Sequence, residues 1–95
     1  MEKFLEIYND TDDNYVLISV NRIKHVVKNT NENTWILYNS GTDEGKIQIV
    51  TTPAESSYLI QNTIVDAIDK ITSKDYSNSS LKVKLPLEVT SITTI

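Results

Sequence analysis

The sequence predicts an α+β fold in which a bent antiparallel sheet, or a small open barrel of five to six strands, packs against one amphipathic helix. Three segments between residues 15 and 50 are rich in β-branched and aromatic residues, as strands are. Polar loops separate them, and both glycines of the chain, Gly41 and Gly45, fall in the third loop. An apolar stripe with helical spacing follows, and one such stripe implies one sheet beneath it.

The strands follow from local patterns. Residues 1–8 alternate apolar and polar side chains, which predicts the first strand. The next run, Tyr15–Val20, continues into Ile23–Val27 after a turn at Asn21. The other two predicted strands are 34–38 and 46–50, and the polar connections are 9–14, 28–33 and 39–45.

A helix start is signalled directly after the strand 46–50. Thr52 is a capping residue, Pro53 suits the first helical position, and Glu55 completes a capping box with Thr52. The sequence therefore predicts a helix that begins at residues 52–54 and ends near residue 72. Its apolar stripe consists of Ile60, Ile64, Ala67, Ile68 and Ile71, and we expect Ile64 and Ile68 to be buried.

The end of the chain has an alternating pattern of its own. We predict a single domain, 1–95, with a sheet-plus-helix core at 1–72, a linker at 73–80 and a C-terminal β extension at 81–95. Pro86 makes this extension an edge strand or breaks it. The extension either closes the sheet of its own subunit or adds a strand to the sheet of a neighbour.

Composition limits the classes of function. The formal net charge is −4 with a pI near 4.8, and the basic residues are scattered, which disfavours nucleic acid as a partner. The chain has no cysteine, so thiolate metal sites and disulfides are excluded. No apolar run has the roughly 20 residues of a membrane span, and the N-terminus lacks the pattern of a signal peptide.

The acidic loop resembles the start of a calcium site. Asp10, Asp12 and Asn14 stand at alternate positions, as the first ligands of an EF-hand do. However, Tyr15 stands where that loop needs glycine, and Asn21 occupies the twelfth position in place of glutamate. We interpret the segment as a solvated acidic turn and expect no metal.

No catalytic constellation is recognisable in the sequence. His25 is the single histidine, no local motif supplies it with a nucleophile or an orienting carboxylate, and we interpret it as a half-buried strand residue. Phosphate-binding and nucleophile-elbow motifs are also absent. We expect no enzyme activity, no catalytic residue and no cofactor.

Candidate contacts with other proteins come from two features. Trp35 and Tyr38 have opposite strand phase, so they cannot both face the helix, and exposed aromatic residues are favoured interface anchors. The apolar positions of the C-terminal extension are the second feature. The candidate interface residues are Trp35, Tyr38, Leu81, Val83, Leu85, Leu87 and Val89.

Residues 1–5, the stretch Ile18–Val26 and the strand–strand–helix order resemble small proteins of marine tailed phages. This resemblance covers about the first 70 residues and implies a virion-associated or assembly protein, located in the virion or the host cytoplasm. A second likeness is to small flagellar-operon proteins of the FlbD type, which also place a hairpin ending in glycine before a helix. The turn at 39–41 matches them, but here the loop continues to Gly45 and a tail is added.

The function we expect is that of a non-enzymatic structural or assembly protein that self-associates as a homo-oligomer, is phage-encoded, contacts other virion proteins and binds no membrane. The alternative is a small binding module for nucleic acid or a regulatory protein. That module would use Arg22, Lys24 and Lys28 as a small basic patch.

Overall fold

The computed structural model describes residues 2–21, 23–38 and 45–94. Within these ranges it contains seven strands and one helix, so the α+β class is confirmed. The elements are β1 Phe4–Asn9, β2 Asn14–Ser19, β3 His25–Lys28, β4 Asn33–Leu37, β5 Lys46–Thr52, α1 Leu59–Thr72, β6 Ser80–Val83 and β7 Glu88–Thr94. Arg22 and most of the predicted third loop, 39–44, lie outside the described residues.

The strands form two sheets. The first has the order β2-β1-β6 and the second has the order β3-β4-β5-β7. All pairs are antiparallel except β1 and β6, which run parallel. The sheets are not closed into a barrel, which corrects the expectation of a β-barrel.

The predicted run from Tyr15 to Val27 divides between the two sheets. Val20 still belongs to the first sheet, because its N–H donates to the carbonyl of Lys3 at 2.8 Å. Ile23 then donates to the carbonyl of Val20 at 3.1 Å, which turns the chain. The following strand, β3, pairs with β4 in the second sheet.

The core lies where α1 meets the inner faces of the two sheets. The alternation in β1 buries Leu5 and Ile7, and the corresponding positions Ile36 and Ile49 are buried in the second sheet. The helix buries Ile60, Ile64, Ala67 and Ile71. Burial of Ile64 is confirmed, whereas Ile68 lies on the flank of the stripe and is only partly buried.

The predicted start of the helix is wrong, because α1 begins at Leu59. Thr51 and Thr52 belong to β5, where they pair with Val89 and Glu88 of β7. The N–H of Glu55 donates to the carbonyl of Asn31 at 2.8 Å, and its carboxylate accepts from Ser57 N–H at 3.1 Å. Strand pairing therefore overrides the local capping signal, while the end at Thr72 is as predicted.

The C-terminal extension pairs within its own subunit. Its first half, β6, lies beside β1, and its second half, β7, lies beside β5, with Pro86 between them. Val83, Leu85 and Val89 are buried in the core. The extension thus contributes one strand to each sheet.

The connection after the helix is tied to the N-terminal strand. The ammonium group of Lys3 donates to the carbonyls of Ile71 at 2.6 Å and Tyr76 at 3.1 Å. A lysine at the last carbonyls of a helix satisfies acceptors that have no partner inside the helix. The hydroxyl of Tyr76 then donates to the carbonyl of Ser80, where β6 begins.

Candidate functional site

The strands at the rims of the two sheets are the places where another chain could add a strand. An edge strand presents unpaired backbone N–H and C=O groups, which natural proteins protect with charges, proline, short length or a covering element. Among the described strands the edges are β2 and β6 in the first sheet and β3 and β7 in the second. Their protection differs.

The edge of β3 is covered by the helix. The N–H of Asn29 donates to the carbonyl of Asn33, so by alternation the backbone groups of Val26 and Lys28 point away from β4. The N–H of Lys28 donates at 2.9 Å to the side-chain oxygen of Gln61, which lies on α1. One backbone donor of this edge is therefore occupied, and the strand is short and ends in a charged residue.

The edges of β6 and β7 have other features that disfavour pairing. The strand β6 has four residues, includes Lys82 and is followed by Lys84 and Pro86. The strand β7 is rich in serine and threonine, and none of its described residues is an exposed large hydrophobic side chain. Both edges thus lack the apolar surface that strengthens strand addition.

The edge of β2 is the least protected of the four, although the Ser19 carbonyl on it accepts a hydrogen bond from the Tyr38 hydroxyl at 3.0 Å. It has six residues, Asn14–Ser19, with no charge and no proline. Leu17 is 59% exposed and Tyr15 is 39% exposed, which makes Leu17 and Tyr58 the most exposed large hydrophobic residues in the described part of the chain. Among these residues β2 pairs with β1 alone. This strand, from Asn14 to Ser19, is the candidate association site.

The sequence contains a signal for this site that differs from simple alternation. Tyr15, Val16, Leu17 and Ile18 are four consecutive apolar residues. A strand with only one face on the core buries alternate residues, so the other two must face solvent. Val16 and Ile18 face the core, and Tyr15 and Leu17 face outward.

The outer face of the first sheet carries two tyrosines and two lysines. The rings of Tyr8 and Tyr15 have centroids 5.2 Å apart. The ammonium group of Lys82 lies 5.2 Å from the Tyr15 ring centroid, and that of Lys84 lies 5.3 Å from the Tyr8 centroid. Contacts at these distances are cation–π interactions. We call these four residues the tyrosine–lysine cluster.

The hydroxyl of Tyr8 also donates a hydrogen bond to the carboxylate of Asp13. This bond, with smaller contributions from desolvation and from the nearby negative charges of Asp13 and Asp10, raises the pKa of Tyr8 to about 12. Asp13 itself adopts a positive φ of 51° in the β1–β2 turn, a conformation that aspartate tolerates better than most residues. The cluster is therefore joined to the acidic loop.

The acidic loop is held by hydrogen bonds within the protein. The side-chain oxygen of Asn9 accepts from the N–H groups of Thr11 at 3.1 Å and Asp12 at 3.4 Å. The carboxylate of Asp10 accepts from the N–H of Val89 at 2.8 Å. Asp10 and Asn9 thus act in the turn and in the junction between the sheets, and the prediction of a turn without metal stays a prediction.

Trp35 and Tyr38 are separated by the fold, as their phase requires. Trp35 lies on the outer face of the second sheet, half-buried, with the Lys46 ammonium group 3.8 Å from its ring centroid. Tyr38 packs against the core, its hydroxyl donates to the carbonyl of Ser19 at 3.0 Å, and burial raises the pKa of this hydroxyl.

The other candidate interface residues pack inside their own subunit. Val83, Leu85 and Val89 are buried, and Leu81 and Leu87 are partly buried against the core. They are therefore covered in the single chain, and the structure does not bring them together with Trp35 into one exposed surface.

His25 is exposed, so its interpretation as a half-buried residue is wrong. It does share a face with Val27, but that face points outward and Val26 faces the helix side. Of the predicted basic patch, Lys24 is exposed and the ammonium group of Lys28 lies 5.3 Å from the Tyr58 ring centroid. Arg22 lies outside the described residues.

One small cavity and one wider depression lie among the described residues. One, of about 10 Å³, lies beside Thr34, Thr51 and Glu55 and matches the size of one water molecule. A wider depression of about 400 Å³ is open to solvent near Val20 and Ile68. Within the described ranges, no three His, Cys, Asp or Glu side chains gather in a way that could hold a metal ion.

The single described helix, α1, has 14 residues. In the part of the chain that the structure covers, no helix combines the length and the apolar character needed to cross a bilayer. No family model, curated protein or solved structure matches this chain.

Proposed function

We propose that this protein is a non-enzymatic structural protein that assembles by self-association through the edge of β2. The observation that carries the proposal is the exposure of Leu17, at 59%, on an edge strand without charge or proline. Such an edge offers hydrogen-bonding groups and apolar surface at the same place, which favours addition of another strand.

The resemblance to phage proteins supports a role in a virion or its assembly. Residues 1–5 and Ile18–Val26 resemble small proteins of marine tailed phages, and Ile18 and Ser19 belong to β2. We propose a phage-encoded protein that acts in the virion or its assembly, with other virion proteins as further partners. The alternative of a nucleic-acid or regulatory binding module has less support, because Lys28 is engaged with Tyr58 and the chain is acidic overall.

A single substitution on β2 tests the proposal. We expect the native chain to pass from monomer to oligomer as its concentration rises from about 1 µM to 1 mM. The association should be weak because a single edge strand gives a small interface. Leu17→Lys should leave a monomer, because it places a charge on the edge in the way that natural edge strands are protected. Multi-angle light scattering over this concentration range measures the molar mass of the native chain and of the Leu17→Lys variant.

Val27→Lys is the matched control. Val27 is 38% exposed and also lies on an edge strand, but β3 has only four residues and Gln61 accepts from its Lys28 N–H. This variant should associate as the native chain does. A native chain that stays monomeric at high micromolar concentration would overturn the proposal, and so would a Leu17→Lys variant that associates normally. Removal of residues 81–95 is unsuitable, because it deletes core residues such as Val89.

A further inference from the structure

We infer that β2 pairs with β2 of a second copy in antiparallel orientation, about a two-fold axis at Val16. The two three-stranded sheets then become one continuous sheet of six strands. This inference rests on the proposed self-association and adds to it the partner strand, its direction and its register.

The backbone of β2 determines which groups are available. The bond from Val20 N–H to the Lys3 carbonyl makes Lys3 and Val20 a hydrogen-bonded pair. Because such pairs alternate along antiparallel strands, Ile18 and Val16 also direct their N–H and C=O groups toward β1. Tyr15, Leu17 and Ser19 therefore direct theirs toward the free edge, so the residues with exposed backbone groups include the two with exposed apolar side chains.

Ser19 is the least available of these three residues. Its carbonyl already accepts a hydrogen bond from the hydroxyl of Tyr38 at 3.0 Å. At the other end of the strand, the positive φ of Asp13 ends the extended conformation. Tyr15 and Leu17 thus remain as the residues with both backbone groups free among the described contacts.

An axis at Val16 uses these two residues fully. It places Tyr15 opposite Leu17 of the second copy, and Leu17 opposite Tyr15, as hydrogen-bonded pairs. Each exposed aromatic ring then contacts an exposed aliphatic side chain, a favourable cross-strand combination. An axis at Leu17 instead places Tyr15 opposite Ser19, whose carbonyl already accepts from the Tyr38 hydroxyl. Fewer backbone groups of the edge would then find a free partner in the second copy.

Charge favours the antiparallel direction. Asp12 and Asp13 lie directly before β2, and the strand itself is uncharged. With the axis at Val16, Asp13 of one copy lies opposite Ser19 of the other copy. The two Asp13 residues are then separated by six residues along the strand, which is about 20 Å. That exceeds the Debye length of about 8 Å at physiological salt. Parallel pairing would instead place the two acidic loops side by side.

Single cysteines test the register, because the native chain has none. With the axis at Val16, the two Val16 residues form a non-hydrogen-bonded pair with Cα atoms about 4.5 Å apart. A disulfide requires about 4.4–6.8 Å, so Val16→Cys should form a covalent dimer when oxidised glutathione is added. Leu17→Cys is the comparison, since its diagonal separation of about 8 Å is too long for a disulfide. Because Leu17 itself contributes to the contact, this comparison is made at a concentration at which light scattering shows that Leu17→Cys is dimeric.

Four outcomes of this experiment are informative. Cross-linking of Val16→Cys without Leu17→Cys supports the inference, and the reverse result moves the axis to Leu17 and overturns it. Failure of both variants to cross-link, while light scattering still shows Leu17-dependent dimers, would also overturn the two-fold pairing without affecting the proposed self-association. Failure of both with a monomeric native chain would remove the proposed function as well.

Amide hydrogen exchange of the native chain gives a second measurement that needs no substitution. With the axis at Val16, the Tyr15 and Leu17 amides should exchange more slowly as protein concentration rises, while the Ser19 amide should not change. Slower exchange at Ser19 as well would indicate the axis at Leu17. Unchanged exchange at Tyr15 and Leu17 in a dimer would contradict the pairing.

Discussion

At the scale of single residues, Asp10 shows how a side chain that resembles a metal ligand can serve the fold. Its carboxylate accepts from Val89 N–H at 2.8 Å, and its own N–H donates to the Val89 carbonyl at 3.1 Å. These bonds join the β1–β2 turn of the first sheet to β7 of the second. The spacing of Asp10, Asp12 and Asn14 suggested ligands because sequence alone does not place Val89 beside the loop.

Asp10→Ala should destabilise the protein. It removes the acceptor for the N–H of Val89, a fully buried residue, and an unsatisfied buried donor costs about 1–3 kcal/mol. Urea unfolding, monitored by circular dichroism, measures the change in the free energy of unfolding. Asp12→Ala is the control, because Asp12 is exposed and, among the described residues, its carboxylate has a single long contact, of 3.4 Å with the Asn9 amide. Equal effects of the two substitutions would contradict this role of Asp10.

Tyr8 should titrate at unusually high pH. Its hydrogen bond to Asp13 raises its pKa from 10.0 to about 12, so the folded state keeps the phenol protonated where the unfolded state ionises. The stabilisation from this bond is complete below pH 10 and is lost as pH rises from about 10 to about 12. Subtracting the ultraviolet titration of Tyr8→Phe from that of the native chain isolates Tyr8. A midpoint near pH 10 in this difference would contradict the assignment.

At the scale of elements, the strands and the helix end that are determined by their own local sequence were predictable. The strands at 34–38 and 46–50 correspond to β4 and β5, and the helix ends at Thr72 as its stripe indicates. The helix start was not predictable, because Thr51 and Thr52 satisfy the second sheet by pairing with Val89 and Glu88, which are distant in sequence. The outward face of His25 was missed for a related reason: β3 has apolar residues in both phases, so alternation does not select its core face.

Ile64 and Ile68 should differ in their contribution to stability. Ile64 is fully buried at the centre of the helix stripe, so Ile64→Ala should cost about 2–5 kcal/mol. Ile68 is partly buried, and Ile68→Ala should cost less because its environment is already partly solvent. Chemical denaturation of both variants gives the comparison. An equal or larger loss for Ile68→Ala would show that the stripe is oriented differently.

At the scale of the whole molecule, the sequence indicated the class and not the division into two sheets. The turn after Val20 was predicted from Asn21, but the change of sheet that follows it was not, and the pairing of β6 with β1 has no local signature. The candidate site depends on the same arrangement. Leu17 is exposed because β2 is an edge, and β2 is an edge because the third strand of its sheet adds on the far side of β1.

The parallel pairing of β1 with β6 has a consequence for synthesis. One side of β1 finds its partner, β2, almost at once, whereas the other side waits for residues 80–83. Translation at about 5–20 residues per second therefore leaves that side of the hairpin bare for several seconds on the ribosome. An isolated hairpin of two strands is at best marginally stable, and any pairing of β1 with β2 in this interval leaves both edges of the hairpin open to other nascent chains. We expect slower translation to lower the yield of correctly folded protein.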